Sequence, residues 1–151
     1  GHRGSRCHHA LPPQSRVMMP ELPEGTNVLG IGTDLIEVDR IRSSIESHAE
    51  RFIEKVFTSI EREYCEGMAD PAPHFAARFA AKEAISKAFR TGIGAEFGWQ
   101  DAGIENGPAG EPLVRLSEKG AALLTERGGS EILISLSHLS TMAMAVAVIV
   151  S

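Results

Sequence analysis

The sequence predicts a single α+β domain in which an antiparallel sheet packs against helices. Its apolar patterns run in the order β-α-α-α-β-β-α-β-β, without the strand–helix alternation of a βαβ repeat. The chain has 151 residues, of which 42% are hydrophobic, so it is long enough to enclose one core. Two neighbouring apolar runs at its end are typical of a closing hairpin.

One strand and two helices are predicted in order from the first half. The run NVLGIGTDLIEV is apolar and contains glycines, which favours a buried strand over about residues 28–36. Apolar residues then recur at helical spacing and form one stripe. The stripe comprises Ile41, Ile45, Ala49, Phe52, Ile53 and Val56. The sequence TSIE has the form of a capping box, so a second helix should begin at Thr58 and run to about Glu66.

The remaining elements follow from breaks and turns. We predict a third helix over about residues 74–90, after the break ADPAP, ended by Gly92 and Gly94. The runs GWQDAGIE and PLVRL flank the turn-rich NGPAGE and predict a hairpin, followed by a helix capped by Ser117. EILISLSH and MAMAVAVIV should form the closing hairpin. Because MAMAVAVIV is apolar on both faces, we expect both to be covered by protein.

Composition argues against two classes of partner. The formal net charge of -5 disfavours a general nucleic-acid binder, because phosphate backbones select basic surfaces. No apolar run is long enough to cross a bilayer, so no membrane partner is expected. The two cysteines, Cys7 and Cys65, make no disulfide framework. We therefore predict a reducing, cytoplasmic location.

The first 25 residues differ from the rest. They begin with Gly and contain four prolines, an internal MM and three of the six histidines. We predict that residues 1–25 are a non-native or disordered extension, from cloning or an upstream start, with a transit peptide as the alternative. The domain itself should span residues 26–151.

Asp34 interrupts an otherwise apolar strand. A buried carboxylate without a partner costs several kcal/mol, so Asp34 needs a partner. The flanking Gly30 and Gly32 indicate the close approach of a backbone or a ligand. The alternative is a carboxylate that merely caps the end of the strand.

A second group of polar residues lies within RFAAKEAISKAF, residues 78–89. These residues are Arg78, Lys82, Glu83, Ser86 and Lys87. Glu83 and Lys87 have the i, i+4 spacing of an ordinary surface ion pair, which is one interpretation. The apolar residues leave little of this helix uncommitted to packing, so its polar side chains should emerge at a groove or an interface.

Asp34, Glu83 and Lys87 together predict a bound metal–pyrophosphate. Magnesium takes few carboxylates and completes its shell with water and phosphate oxygens. Lysines beside such a site balance phosphate charge. His138, at the end of SLSH, is a third candidate, although a solvated turn histidine is the alternative.

Three stretches of the sequence resemble one family. GIGTDLIEVDRI, RFAAKEAISKAF with TGIG, and SLSH resemble the holo-acyl-carrier-protein synthases, the small single-domain branch of the 4′-phosphopantetheinyl transferases. The resemblance covers about residues 28–150, and KEAxxK with an upstream GxD is highly specific. It implies transfer of 4′-phosphopantetheine from coenzyme A to a serine of apo acyl-carrier protein, with release of adenosine 3′,5′-bisphosphate.

The resemblance also implies residue roles. Asp34 and Glu83 would hold Mg²⁺, and Lys87 would neutralise the transferred phosphoryl group. Lys82, Ser86 and His138 would line the nucleotide site, with Arg78 near the adenosine end. The base that deprotonates the serine stays open between Glu83 and a water on the metal.

Assembly and carrier docking are further implications of the resemblance. Family members are homotrimers with active sites between subunits, and the helix after the first strand docks the carrier. Arg40 and Arg51 on this helix are eleven residues apart, about three turns, so they project from nearly the same side. An ordinary solvated face is the alternative, because Glu46, Glu50 and Glu54 share the helix.

Two positions depart from the family pattern, and two other functions remain open. Arg90 stands where the family usually has a glycine, and the turn LSTMAMA lacks the usual aromatic residue. The first departure concerns the helix end, and the second concerns packing near the nucleotide. The alternatives are a Mg²⁺-dependent hydrolase of nucleotide pyrophosphates, for which no water-activating cluster is evident, and a non-catalytic trimeric binding module.

Overall fold

The computed structural model describes residues 24–151, which form five strands and four helices. The strands are β1 (Val28–Glu37), β2 (Ala102–Asn106), β3 (Pro112–Leu116), β4 (Glu131–His138) and β5 (Met142–Val150). The helices are α1 (Val38–Val56), α2 (Ser59–Glu66), α3 (Pro71–Ala88) and α4 (Glu118–Glu126). This order confirms the predicted α+β arrangement. The predicted extension lies outside the described residues except for its last two positions.

The strands form two antiparallel sheets. The larger has the order β1-β5-β4, and β2 pairs with β3 in a separate hairpin. On either side of β5, Asp34 pairs with Ala145 and His138 pairs with Ala143. Asp34 and His138 therefore lie on opposite edge strands, two strand spacings or about 10 Å apart across the sheet.

Helix α3 is the central element of the fold. It is rich in alanine and buried over most of its length, so it lies close against the larger sheet. A Cβ atom at Gly30 or Gly32 would overlap the carbonyl oxygen of Ala88 or Ala84. This confirms the predicted close approach at the two glycines and identifies the approaching group as the backbone of α3.

Both ends of α3 differ from the prediction. The helix begins at Pro71, because a proline in the first turn forfeits no intrahelical hydrogen bond. It ends at Ala88, and Arg90 then takes a φ of 63°. Among the described residues Arg90 is the one non-glycine with a positive φ, which explains why glycine suits this position.

The other three helices follow their predicted local signals. In α1 the stripe residues Ile41, Ile53 and Val56 are buried, while Ile45 and Phe52 are half-buried. The capping box is formed in both directions. Glu61 N donates to the Thr58 hydroxyl, and Thr58 N donates to Glu61 Oε1. Ser117 caps α4 by accepting from Gly120 N.

The larger sheet has one packed face and one open face. On β5, Ala143, Ala145, Ala147 and Ile149 are buried against α3. On the other face the side chains of Ile31, Leu35 and Met144 are 63%, 64% and 40% exposed. Within a single chain, protein therefore covers only one face of β5, whereas the sequence predicted that both faces are covered. No helix within residues 24–151 has the length and hydropathy that crossing a membrane requires.

Candidate active site

A carboxylate on β1 meets a lysine on α3. Lys87 Nζ lies 3.0 Å from Asp34 Oδ1 and donates to the Thr33 carbonyl at 3.0 Å. The Asp34 side chain is 17% exposed and that of Lys87 is 50% exposed. Lys87 is thus the partner that a largely buried Asp34 requires, and its ammonium can still be reached from solvent.

Glu83 lies one helical turn before Lys87 and is half-buried. Burial raises the pKa of the Glu83 carboxyl and the nearby Asp34 carboxylate raises it further, whereas Lys87 lowers it. Within residues 24–151 no ion pair joins Glu83 to Lys87, because the Lys87 ammonium contacts Asp34. The simple i, i+4 surface pair is therefore not formed.

Two neighbouring carboxylates beside one lysine leave an excess negative charge that favours a cation. In residues 24–151 no three His, Cys, Asp or Glu side chains gather as a metal centre. A zinc-type site made of protein ligands alone is thus not formed in this part of the chain. Magnesium needs fewer protein ligands, since waters and phosphate oxygens complete its shell, so the two carboxylates fit it.

A second polar group lies where α2, α3 and the end of β4 meet. We call it the histidine–arginine cluster; it consists of Tyr64, His74, Arg78 and His138. The rings of His74 and His138 are 5.0 Å apart between centroids, and those of Tyr64 and His74 are 6.0 Å apart. The Arg78 guanidinium carbon lies 4.2 Å from the centre of the Tyr64 ring. Sequence reasoning found Arg78 and His138 but missed the other two.

Arg78 is a buried cation without a carboxylate partner among the described residues. Arg78 is 4% exposed, and its Nη1 donates to the His74 carbonyl at 3.3 Å. Its buried Nε has no hydrogen-bond partner within residues 24–151. The charge of Asp70 raises the pKa of His74. The Asp70 carboxylate, however, already accepts two hydrogen bonds of 3.0 Å from the Arg42 guanidinium. Because a buried charge needs a counter-charge, the cluster favours an anion.

Lys82 does not lie where the sequence interpretation placed it. Its side chain is fully buried, and Nζ lies 2.7 Å from Glu61 Oε1. The ammonium also donates to the carbonyls of Trp99 and Ala102, at 2.9 and 2.7 Å. All three of its donors have protein partners. The prediction that Lys82 lines the nucleotide site is therefore wrong.

Ser86 is the second correction. It is fully buried, and its hydroxyl donates to the Glu83 carbonyl at 2.7 Å. This is a local bond to the preceding turn of the same helix, which leaves the hydroxyl no access to a ligand. The prediction that Ser86 lines the nucleotide site is also wrong.

The two arginines predicted to bind a carrier are exposed on α1. Arg40 and Arg51 have no ion pair within the described residues, whereas the neighbouring Glu50 is engaged by Arg62 at 2.6 Å. One acidic residue of the helix is thus already neutralised, and the two arginines remain available. Their role in carrier binding stays a prediction.

Comparison with known proteins gives a consistent result. Residues 30–147 match the family model described as the 4′-phosphopantetheinyl transferase superfamily. A holo-[acyl-carrier-protein] synthase of Chlamydia felis is 48% identical over 118 residues, which are 78% of this chain and 93% of that protein. The corresponding synthase of Ruminiclostridium cellulolyticum is 49% identical over 120 residues, covering 79% and 90%.

Solved structures resemble the fold as well. The holo-[acyl-carrier-protein] synthase of Neisseria meningitidis aligns with a TM-score of 0.77 and 29% identity, over 82% of this chain and 98% of that chain. The Helicobacter pylori synthase, solved in complex with coenzyme A, aligns with a TM-score of 0.71 and 30% identity, over 79% and 98%.

Proposed function

The chain belongs to the 4′-phosphopantetheinyl transferase superfamily, and we propose that it acts as a holo-[acyl-carrier-protein] synthase. In this reaction the 4′-phosphopantetheine of coenzyme A moves to a serine hydroxyl of apo acyl-carrier protein, and adenosine 3′,5′-bisphosphate leaves. The observation that carries the proposal is the joint placement of Asp34, Glu83 and Lys87. They form a charged site that suits a metal–pyrophosphate.

The lysine of this site acts on the phosphoryl group. Lys87 is half-exposed, and two of its three N–H donors are used by Asp34 and the Thr33 carbonyl, so the third can bind a phosphate oxygen. The negative charge on these oxygens changes as the phosphoryl group is transferred. The Lys87 ammonium is already in position, so it stabilises this charge without having to move during the reaction. Asp34 and Glu83 would hold Mg²⁺, which when bound supplies further neutralisation of the pyrophosphate.

Glu83 is the protein group best suited to accept the proton of the attacking serine. Its pKa is raised by burial and by Asp34, which makes it a stronger base than an ordinary carboxylate. A carboxylate engaged by a cation is a weaker base, so a water beside the site is the other candidate for this step.

The histidine–arginine cluster would bind the nucleotide. Its excess positive charge is matched to a phosphate, and coenzyme A carries three phosphate groups on its adenosine end. Arg78 supplies a permanent charge and His138 an exposed imidazole at the end of β4. Lys82 and Ser86 take no part in this site, because both are enclosed in the core.

A homotrimer with shared active sites agrees with the uncovered sheet face. The exposed Ile31, Leu35 and Met144 would be buried if three sheets closed around one axis. In the arrangement that we propose, the β1 edge of one subunit would lie next to the β4 edge of another. Asp34 and His138 lie on these two edges, so neighbouring subunits would combine to bind one coenzyme A.

Carrier docking and location complete the proposal. Arg40 and Arg51 on α1 supply positive charge for an acidic carrier, although the chain itself has a net charge of -5. We also propose a cytoplasmic location, since Cys65 is a buried free thiol of the kind found in reducing compartments.

One experiment separates the proposed transferase from its alternatives. The protein is incubated with coenzyme A, Mg²⁺ and apo acyl-carrier protein, and the molecular mass of the carrier is measured by mass spectrometry. A mass gain of one phosphopantetheine supports the transferase. Breakdown of coenzyme A without a carrier would support a hydrolase instead, and the absence of any change would support a binding module.

A further inference from the structure

His74 touches both of the groups that are proposed to bind the nucleotide, although it lies outside the stretches that carry the family resemblance. Its ring meets that of His138 edge-on, at 5.0 Å between centroids and an angle of 67°. Its carbonyl accepts the hydrogen bond from Arg78 Nη1 at 3.3 Å. His74 therefore lies inside the histidine–arginine cluster.

The charges that face His74 come from several elements. Arg78 on the same helix and His138 on β4 are basic, and Tyr64 on α2 is neutral. Asp70, just before α3, is the acidic group, and Arg42 on α1 binds both of its carboxylate oxygens. Positive groups thus outnumber free negative groups around His74 within the described residues.

We propose that His74 is a third ligand-binding residue of this cluster, and that it takes up a proton from solvent when a phosphate monoester binds against Arg78 and His138. The inference rests on the proposed function, because it assigns the ligand of that site as the monoester of coenzyme A. It adds a residue and a proton to the binding step.

The electrostatics give the sign of the pH dependence. In the ligand-free chain, burial lowers the pKa of His74, and His138 and Arg78 lower it further, so the imidazole is mostly neutral at neutral pH. A phosphate beside the ring favours the charged imidazolium and raises this pKa. A group whose pKa is higher in the complex than in the free protein strengthens binding as the pH falls.

A purely structural role for His74 makes a different prediction. If the ring only packs between Tyr64 and His138, then His74→Phe, which keeps an aromatic ring, should bind coenzyme A with the wild-type pH dependence. His74→Gln serves as a second variant, because it loses the titratable ring yet keeps hydrogen-bonding groups. His48→Gln is the matched control, since His48 is an exposed histidine on α1.

The test is calorimetric titration of the full chain with coenzyme A and Mg²⁺ at about pH 6.5, near the ordinary histidine pKa, and at about pH 8.5, where an ordinary histidine is neutral. We expect the wild type and His48→Gln to bind about two- to fivefold more tightly at the lower pH, as a rise of about one unit from a pKa below the ordinary histidine value gives. His74→Phe and His74→Gln should lose much of this gain. Dephospho-coenzyme A, which lacks the monoester, should show little gain with any variant.

Two results would overturn the inference. One is wild-type pH dependence in a folded His74→Phe or His74→Gln, and the other is an undiminished gain with dephospho-coenzyme A. Failure of the proposed function looks different, because the wild type would then leave apo carrier unmodified. If the wild type modifies the carrier while the His74 variants keep its pH dependence, only this inference fails.

Discussion

Lys82 and Glu61 form an ion pair inside the protein, with Nζ 2.7 Å from Oε1 and both side chains fully buried. The same carboxylate accepts from Thr58 N at the start of α2 and from Ile104 N on β2. Burial lowers the pKa of the Lys82 ammonium, and Glu61 opposes this change. One carboxylate therefore ties α2, α3 and β2 together.

Removing one member of this pair should destabilise the fold. Lys82→Met leaves Glu61 buried without its cation and should lower the free energy of unfolding by about 3–5 kcal/mol. Chemical denaturation measures this loss, with Lys55→Met as a surface control that should stay within about 0.5 kcal/mol of the wild type. A Lys82→Met protein of normal stability that binds coenzyme A poorly would restore Lys82 to the nucleotide site.

Lys87→Ala should affect turnover far more than folding. Lys87 is half-exposed but Asp34 is only 17% exposed, so losing their ion pair should lower the free energy of unfolding by about 1–3 kcal/mol, too little to unfold the domain. Loss of a charge that stabilises the phosphoryl oxygens should lower the rate of carrier modification about 100-fold or more. Asp34→Ala and Glu83→Ala should abolish the reaction while circular dichroism shows an intact fold. A Lys87→Ala chain that is unfolded, or as active as the wild type, would contradict this role.

Charge reversal on α1 should slow carrier binding without changing coenzyme A binding. Arg40→Glu or Arg51→Glu replaces attraction by repulsion for an acidic carrier, so association should slow about three- to tenfold at low salt. Stopped-flow measurements should show this difference shrinking as salt screens the charges. Lys119→Glu on α4 gives the same change in net charge and is the control. Equal effects from all three variants would point to net charge rather than docking at α1.

A charge on the open sheet face should disrupt the proposed trimer. Leu35 is 64% exposed in a single chain, and Leu35→Glu would place a carboxylate in the subunit interface. Light scattering should report three chains for the wild type and one for the variant, and transfer activity should fall with assembly. Leu113→Glu on the separate β2–β3 hairpin is the matched control, because it introduces the same charge at an exposed leucine outside the larger sheet. A wild type that is monomeric and fully active would rule out the shared site.

Local sequence signals predicted the elements well, because each signal acts within a few residues. The capping box at Thr58 and Glu61 and the cap at Ser117 form as their sequences indicate. The ends of α3 were harder to predict, since Pro71 is compatible with a first turn and Arg90 adopts a backbone conformation that arginine seldom takes. That conformation is set by the chain around it rather than by its own preference.

The site was predicted only in part, because α3 is apolar nearly all round. Such a helix has no polar side from which the direction of each charged residue can be read. Lys82 points to Glu61 while Lys87 points to Asp34, and only tertiary contacts distinguish them. His74 was missed for a related reason: its spacing from Arg78 is the one local signal, and its contact with His138 joins distant parts of the chain.

The contact between β1 and α3 fixes the depth of the active site by backbone spacing alone. Gly30 and Gly32 have no side chain to offer a substrate, yet each determines how far the helix stands from the strand. Widening that gap would carry Glu83 and Lys87 away from Asp34 as one rigid block. A larger residue at either glycine would therefore lower activity in the same way as the loss of a catalytic residue, although every catalytic residue would still be present.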